Sequence, residues 1–512
     1  MPPAKPHTII ILVLAIIKFC IPFLLIAPSF ELQRDEFLYY QQGQHAALGY
    51  LENPPLLSYL ARVSSWLGGG EWTIKLWPAL IGASTLIITC LIVARLGGMA
   101  FAQFLAGLGI ITGVFLRIHI LFQPNILDIF SWTSSIYFLV RYTRSKNFKD
   151  ILGMVLCIAL GWWSKYSIVF LAAAIFIGLL LTHYRFLLWQ GKTYLLAAIG
   201  ILIILPNLWW QYAHHWPVLH HMKELRETQL AIVNPVNFII DQLLLLFPVL
   251  IIWIAGLIWF FTQSIYRIIG WIYLLVIVLL IAGSGKNYYS VGIYPVLLAG
   301  GAVAWEQWSK SKKWIRYVLI ISIIGLTIPF LRIGLPLEEP KALSTFYEKK
   351  RYGRLGILEW EDHKNHALPQ DFADMLGWKE LTEKAESFFD KLPDSSRANT
   401  IIYCRNYGQA GALQYYGRNE HFRKKVISDN GSFLLWIPDS FLLKNLIFIG
   451  RSVPKREDEV FQHFETVRMA DSVTNPLSRQ LGDKIIFFEN ADTMASWLAN
   501  KIIKEKKREF NY

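Results

Sequence analysis

Long apolar runs alternate with short polar connections over the first two thirds of the chain. A helix needs about 20 mostly apolar residues to cross a bilayer, and shorter helices are tolerated inside a bundle. The pattern therefore predicts eleven membrane-spanning helices, which would place the two termini on opposite sides of the membrane. The predicted spans are residues 8–28, 76–94, 100–116, 126–141, 151–164, 167–182, 194–206, 241–262, 268–283, 289–305 and 315–333.

The pattern changes after Leu335. The stretch 378–392, WKELTEKAESFFDKL, has the spacing of an amphipathic helix. Short apolar segments interspersed with helical stretches are typical of a small α/β domain. We therefore predict an all-α polytopic membrane domain over residues 1–335 and a small C-terminal α/β domain over residues 336–512, hereafter the tail. The predicted strands are 400–404, 432–438, 445–450 and 484–490.

The distribution of Lys and Arg predicts the orientation. Cytoplasmic connections of membrane proteins are enriched in these residues, and the richer set of connections lies on the side of the N-terminus, for example at Arg141–Lys149 and Lys310–Arg316. We predict an integral, multi-pass membrane protein, of the inner membrane if the cell is bacterial. Its N-terminus would be cytoplasmic and its tail extracytoplasmic. Two long external loops, 29–75 (loop one) and 207–240, would lie on the same face as the tail.

Composition agrees with this placement. The chain has 512 residues, of which 54% are hydrophobic, against about 45–50% apolar residues in soluble proteins by a broader count. The net charge of +13 is expected from basic cytoplasmic loops, and no nucleic-acid-binding signature accompanies it. The four cysteines provide neither a disulfide within the tail nor the spacing of a zinc site.

Loop one carries three acids close to the membrane, in ELQRDEFLYYQQGQHAALGYLENPPLLSY. Asp35 and Glu36 are adjacent, and Glu52 stands shortly before two prolines. Neighbouring side chains on a helix point about 100° apart, so one acid can act as a base or metal ligand while the other contacts a partner. Alternatively, Asp35 caps the helix that follows it.

Charged residues also stand at the outer ends of predicted spans. Asp128, in QPNILDIFSW, is either functional or the ion-pair partner of Arg117. Lys165, in GWWSKYS, and Lys286, in GKNYYSVGIYP, either extend to the interface or bind an anionic phosphate. Tyr288 and Tyr289 follow Lys286 and are either interfacial rings or surfaces on which a sugar stacks.

The second long loop, NLWWQYAHHWPVLHH, contains four histidines without the spacing of a zinc site. We expect one or two of them, among them His215 and His221, to contact a phosphate or an acceptor. In the tail, RNYGQAGALQYYG follows a predicted strand and enters a helix. Its glycines either allow tight packing of the strand against the helix or leave room for an anion, and it lacks the motifs of nucleotide-binding loops.

Taken together, these motifs resemble the GT-C glycosyltransferases. The run RDEFLYYQQGQHAALGYLENPPLLSYLARVSSWLGGGEWTIKLWPAL is similar to their first external loop, and QPNILDIFSW, GWWSKYS, NLWWQYAHHWPVLHH, GKNYYSVGIYP and NYGQAGALQYYG match in the same order. The most similar groups are the protein O-mannosyltransferase-like enzymes and the aminoarabinose transferases that modify lipid A.

The resemblance implies an inverting glycosyltransferase with a polyprenyl-phosphate-linked sugar as donor and a lipid, glycan or protein as acceptor. It implies Asp35 as catalytic base, with Glu36 beside it, Asp128 as the second acid and Lys286 at the donor phosphate. Glu52 matches an acid that some members use at a metal, so a divalent metal there stays open, and no other cofactor is expected. Residue 53 is Asn where relatives often carry Lys or His, which weakens a metal assignment.

A flippase or transporter of polyprenyl-linked glycan or lipid is the alternative function. Transporters place polar groups near the bilayer midplane, on broken helices in two matched halves. In this chain the polar groups collect at the outer ends of the spans, which favours an enzyme.

Overall fold

The computed structural model describes residues 3–228, 234–454 and 459–512, apart from the side chains of 224–226 and 228. Over the first 335 residues it is helical. The helices are α1 (Thr8–Leu24), α2 (Arg34–Gln44), α3 (Leu56–Trp66), α4 (Glu71–Leu96), α5 (Ala100–Ile111), α6 (Val114–Ile118), α7 (Pro124–Ser145), α8 (Phe148–Ser164), α9 (Ile168–Leu180), α10 (Gly191–Ala213), α11 (Pro217–Thr228), α12 (Pro235–Leu245), α13 (Leu250–Thr262), α14 (Arg267–Ala282), α15 (Tyr294–Trp308) and α16 (Trp314–Gly334), with 3₁₀ turns at His183–Trp189, Phe247–Val249 and Asn287–Ile293.

Every predicted span coincides with one of these helices or with a consecutive pair. By length and apolarity, four helices of the described chain could cross a membrane, or six if two bent pairs count as spans. The number eleven therefore stays a prediction, because several of the helices in the bundle are short or carry polar residues. The four are α4, α10, Asn287–Trp308 and α16; the bent pairs are α9 with His183–Trp189 and α12 with Phe247–Thr262; α1, α5 and α14 are shorter apolar helices.

The tail contains a mixed five-stranded sheet with the order β2-β1-β3-β5-β4. Strand β1 runs parallel to β2 and β3, whereas β5 is antiparallel to β3 and β4. The strands are β1 (Thr400–Cys404), β2 (Val426–Ile427), β3 (Asn445–Gly450), β4 (Phe464–Ser472) and β5 (Lys484–Ala491). The helices are α17 (Pro340–Lys349), α18 (Gln370–Ala373), α19 (Trp378–Asp390), α20 (Asp394–Ala398), α21 (Tyr407–Tyr416), α22 (Glu420–Lys424) and α23 (Thr493–Arg508), with 3₁₀ turns at Tyr352–Leu355, Gly431–Trp436 and Phe461–His463.

Three of the four predicted strands are confirmed, and the prediction of a strand at 432–438 is wrong. That segment forms the 3₁₀ turn Gly431–Trp436. Its Ser432 amide donates to the carboxylate of Glu52 in loop one, so this backbone group bonds a side chain and not a neighbouring strand. Strand β4 was not predicted, because most of its residues are exposed and it lacks a buried apolar run.

Loop one and the tail share one hydrophobic core. Phe37 of α2 packs edge-on against Trp378 of α19 and against Tyr415 and Tyr416 of α21, with ring centroids 5.5, 5.9 and 5.6 Å away. Helices α2 and α21 approach so closely at Gly411 that a Cβ added there would lie 2.7 Å from the Cβ of Phe37. The tail therefore covers loop one, which carries the predicted catalytic acids Asp35 and Glu36.

Candidate active site

The start of α2 places its two acids in different environments. The side chain of Gln33 accepts a hydrogen bond from the Asp35 amide, and Glu36 accepts one from the Gln33 amide, both at 2.8 Å. This reciprocal arrangement is a capping box, in which Gln33 is the N-cap. The alternative that Asp35 caps the helix is therefore wrong, and its carboxylate remains available for other contacts.

Glu36 is wholly buried and bound on several sides. Its carboxylate accepts from Lys75 Nζ and from the Phe122 amide, each at 2.7 Å, and Lys75 also donates to the Ile120 carbonyl. A buried ion pair with further hydrogen bonds holds its neighbours in place, and removal of one partner leaves a buried charge. These contacts tie α2 to α4 and to the segment before α7, and they favour a structural role for Glu36 over the predicted catalytic one.

Asp35 is accessible, with a side chain 25% exposed. Its Oδ1 accepts a hydrogen bond of 2.8 Å from the Tyr407 hydroxyl and a longer contact of 3.4 Å from Arg34. Its Oδ2 has one long contact of 3.4 Å with the Gln123 amide among the described residues. One oxygen of Asp35 is thus held by the tail, and the other is only loosely engaged.

Asp128 is buried near the outer end of α7. Trp132 Nε1 donates to one of its oxygens at 2.9 Å and Ser167 Oγ to the other at 3.0 Å. Arg117 lies elsewhere, in a 3.1 Å ion pair with Asp371 of the tail. The alternative that Arg117 is the partner of Asp128 is therefore wrong.

Lys165 joins Asp128 to the two tyrosines. Its Nζ donates to Asn125 at 2.6 Å and lies 4.1 and 5.0 Å from the ring centroids of Tyr289 and Tyr288, within the range of cation–π attraction. Burial lowers the pKa of Lys165 to about 8; the charge of Asp128 opposes this shift and that of Lys286 adds to it. These side chains form one cluster at the outer ends of α7, α8 and α15.

Electrostatic contacts connect this cluster with Asp35. Burial lowers the pKa of Lys286, and the charges of Glu361 and Asp35 oppose that shift. Burial raises the pKa of Tyr39, and the charges of Asp35 and Glu52 contribute to that shift. Hydrogen-bond contacts also lead from the predicted base to the lysine cluster, because the Gln123 amide contacts Asp35 Oδ2, Asn125 donates to Gln123, and Lys165 donates to Asn125.

Glu52 contacts the tail through both carboxylate oxygens. The Ser432 amide donates to one at 2.6 Å and the Ser432 hydroxyl to the other at 2.5 Å. Gly431 has a φ of +61°, and an added Cβ there would lie 2.1 Å from Glu52 Oε1. No three His, Cys, Asp or Glu side chains of the described chain are grouped to hold a metal. The contacts at Glu52 therefore do not fit a metal site.

The known proteins whose sequences are similar to this chain are described as glycosyltransferases. The family described as dolichyl-phosphate-mannose-protein mannosyltransferase matches residues 52–210, a range that contains Glu52, Asp128 and Lys165. The lipid A galacturonosyltransferase RgtD of Rhizobium johnstonii is 23% identical over 198 residues, which cover 37% of this chain and 41% of the relative. The match thus spans about two fifths of the relative's length.

Solved structures are similar over almost the whole chain. ArnT from Cupriavidus metallidurans bound to undecaprenyl phosphate superimposes with a TM-score of 0.61 at 13% identity, covering 95% of this chain and 98% of that one. The arabinofuranosyltransferase AftD from Mycobacteria gives 0.50 at 12% identity, covering 96% of this chain and 42% of its own. The chain has the GT-C glycosyltransferase fold. The predicted resemblance and the coarse fold, a helical membrane domain with a small C-terminal sheet, are confirmed.

Two of the residues predicted to bind substrate are histidines of the second long loop. His215 and His221 belong to the connection around α11, whose neighbours His214 and His220 contact Tyr512 and Phe510 near the C-terminus. Among the described residues, no hydrogen bond or ring contact joins His215 or His221 to Asp35, Asp128 or Lys165. Their role in binding stays a prediction.

Two contacts at the candidate site come from the tail and were not predicted. The Tyr407 hydroxyl holds Asp35, and Ser432 holds Glu52. Tyr407 stands in NYGQAGALQYYG, a motif in which the glycines, and not the first tyrosine, indicated a role. Gly408 and Gly411 do permit close packing, but against Arg34 and Phe37 of loop one and not between a strand and a helix as predicted.

Proposed function

We propose that this protein is an integral-membrane, inverting glycosyltransferase. It transfers a sugar from a polyprenyl-phosphate donor to a lipid, glycan or protein acceptor on the extracytoplasmic face. One observation carries the proposal: the accessible carboxylate of Asp35 is linked to Lys165 through the side chains of Gln123 and Asn125. The GT-C fold supports it, as does the undecaprenyl phosphate bound to ArnT in the similar structure.

The reaction is a single displacement. The acceptor hydroxyl oxygen attacks the anomeric carbon, and the bond from that carbon to the phosphate oxygen breaks. The bonding electron pair leaves with the polyprenyl phosphate, while the acceptor's proton passes to Asp35 as general base. One displacement inverts the anomeric configuration. The long contact of Oδ2 with Gln123 leaves this oxygen able to take the proton.

The lysine cluster would hold the leaving phosphate. Preorganised cations stabilise charge where it develops in a transition state, and Lys165 and Lys286 supply two positive charges beside the rings of Tyr288 and Tyr289. Asp128 balances the charge of Lys165 and orients its surroundings through Ser167 and Trp132. We assign no step to a metal, because the carboxylate of Glu52 is occupied by Ser432.

The test is donor cleavage by purified protein. Full-length protein is incubated with a panel of polyprenyl-phosphate sugars and acceptors, and release of polyprenyl phosphate is measured. We expect release with at least one donor, and a loss of at least about 10²-fold in Asp35→Asn, the upper part of what one general base contributes. Asp394→Asn, at a side chain 91% exposed in the tail, is the matched control.

The variant Glu36→Gln distinguishes the structural role of Glu36 from the catalytic role proposed for Asp35. It removes the charge opposite buried Lys75 and should cost about 3 kcal/mol of stability, whereas Asp35→Asn should leave the unfolding temperature almost unchanged. Release of polyprenyl phosphate by Asp35→Asn at the wild-type rate would remove Asp35 as base. Absence of release from every donor would contradict the proposed function.

A further inference from the structure

A groove lies between loop one and the tail, on another side of α2 from Asp35. It has a volume of about 670 Å³, within the range of about 300–1,000 Å³ that small-molecule sites occupy. We call it the tail groove. It is lined by Tyr40, Gln41 and Gln44 of α2, Tyr415 of α21, Arg423 of α22 and Trp436 of the 3₁₀ turn.

The aromatic rings of the tail groove are fixed in place. Trp436 stacks on His45 with ring centroids 4.2 Å apart, and Tyr40 meets Tyr415 edge to face at 4.9 Å. The Tyr415 hydroxyl donates to the Gly69 carbonyl at 2.8 Å. A preformed wall of amphipathic rings binds a ligand at a low cost in conformational entropy. Rings of this kind pack against the apolar faces of pyranose sugars.

Gln41 provides the second observation. Its side chain lines the groove and makes no hydrogen bond with the described residues, and the residue as a whole is only 5% exposed. Neither atom of its amide is among the buried polar atoms that lack a partner, so the amide is the part of the residue that is accessible from the groove. An amide offers two donors and two acceptor sites. By contrast, the neighbouring Gln44 donates to Ser65 at 2.9 Å. The Gln41 amide is thus positioned for the hydroxyl groups of a ligand.

The groove lies at the far end of the helix that carries the base. Gln41 follows Asp35 by six residues on α2, which corresponds to about 9 Å along the helix axis and a turn of about 120° around it. A molecule in the groove would not occupy the position of the acceptor hydroxyl at Asp35. An extended chain of a few sugar units could nevertheless reach from one to the other around α2.

We propose that the tail groove binds sugar units of a glycan-bearing acceptor, a few units away from the hydroxyl that receives the transferred sugar. Fixed aromatic rings and an accessible amide are the complement of an oligosaccharide, which presents apolar ring faces and hydroxyl groups. The proposal rests on the proposed function for its placement in a reaction, and it gives the acceptor a chemical class.

The test measures binding apart from turnover. Full-length protein in lipid nanodiscs is applied to an array of bacterial and eukaryotic oligosaccharides, and hits are titrated in solution by tryptophan fluorescence. In Gln41→Leu we expect the Kd to rise about tenfold, the equivalent of one lost hydrogen bond of about 1.4 kcal/mol. Gln462→Leu, at an exposed glutamine of the tail, is the matched control and should bind as wild type.

Gln41→Leu should also fold as wild type does, because the Gln41 amide makes no hydrogen bond within the described residues that the substitution would break. With a cleavable donor, we expect a higher KM for the oligosaccharide acceptor and an unchanged rate of donor hydrolysis by water. Absence of binding across the array, or equal binding by Gln41→Leu and wild type, would overturn the proposal. Failure of donor cleavage with retained array binding would instead contradict the proposed function alone.

Discussion

Asp35 and Asp128 differ in the groups that hold them, and this difference separates their proposed roles. Asp35 is partly exposed and shares a hydrogen bond with a tyrosine of the tail. Asp128 is buried, and both of its oxygens accept hydrogen bonds from within the membrane domain. A base must reach a substrate proton, which only Asp35 can do. Asp128 acts instead on Lys165, whose charge it helps to maintain.

The pH dependence of activity should report the charge of Lys165. Its pKa of about 8 means that the free enzyme loses this ammonium, and with it affinity for donor phosphate, as the pH rises through about 8. Because kcat/KM reports ionisations of the free enzyme, we expect it to fall above about pH 8. The kcat should fall only at higher pH, since a bound phosphate keeps the lysine protonated.

Lys165→Arg tests this assignment, because arginine stays charged at every pH of the assay. The variant is expected to be slower but to lose the alkaline fall of kcat/KM. Lys391→Arg, at an exposed lysine of the tail, should keep the wild-type profile. An alkaline fall that is the same in Lys165→Arg as in wild type would assign the ionisation to another group.

The sequence predicted several of these residues, but not their partners. One region contains Asp128, Lys165, Lys286 and the two tyrosines that follow Lys286. This grouping is expected, because all of these residues stand at the ends of predicted spans on the same side. Tyr407 could not be predicted as a partner of Asp35, because 372 residues separate them. No local pattern encodes so distant a contact. The same holds for Lys75, whose ion pair decides the role of Glu36.

At the scale of elements, the packing of α21 on α2 determines where Tyr407 lies. Gly411 stands at the contact, with Phe37 opposite it. Strands β1, β3 and β5 were predicted because each has a run of buried apolar residues. The 3₁₀ turn at Gly431–Trp436 was not, because an apolar segment of that length is also typical of a strand. The hydrogen bond from the Ser432 amide to Glu52 is what distinguishes this turn from a strand.

Gly411→Ala should therefore disturb the site from a distance. The added Cβ would lie 2.7 Å from the Cβ of Phe37, and overpacking of this kind costs about 1–3 kcal/mol. We expect a lower unfolding temperature and a loss of transfer activity as α21 moves and Tyr407 leaves Asp35. Gly325→Ala in α16, where an added Cβ meets nothing within 4 Å, should cause neither. Thermal unfolding and donor cleavage measure the two effects, and wild-type values for both in Gly411→Ala would contradict the packing argument.

At the scale of the whole molecule, loop one lies between the membrane helices and the tail. Glu36 and Lys75 fasten it on one side, and Tyr407 and Ser432 contact it on the other. A site built from both parts is complete only when the tail covers the loop. Loop one and the tail must consequently lie on the same face of the membrane, whichever face that is.

The charge pattern predicts that this face is extracytoplasmic, and cysteine labelling tests this orientation. Asp394→Cys lies in the tail at a side chain 91% exposed, and Lys310→Cys lies at an exposed position between α15 and α16. In intact cells or spheroplasts, a membrane-impermeant maleimide should label Asp394→Cys, and Lys310→Cys only after permeabilisation. Wild type, whose cysteines are buried or half-buried, gives the background. The reverse labelling pattern would place the Asp35 carboxylate in the cytoplasm and exclude an external acceptor, since the tail cannot leave loop one without breaking the contacts at Asp35 and Glu52.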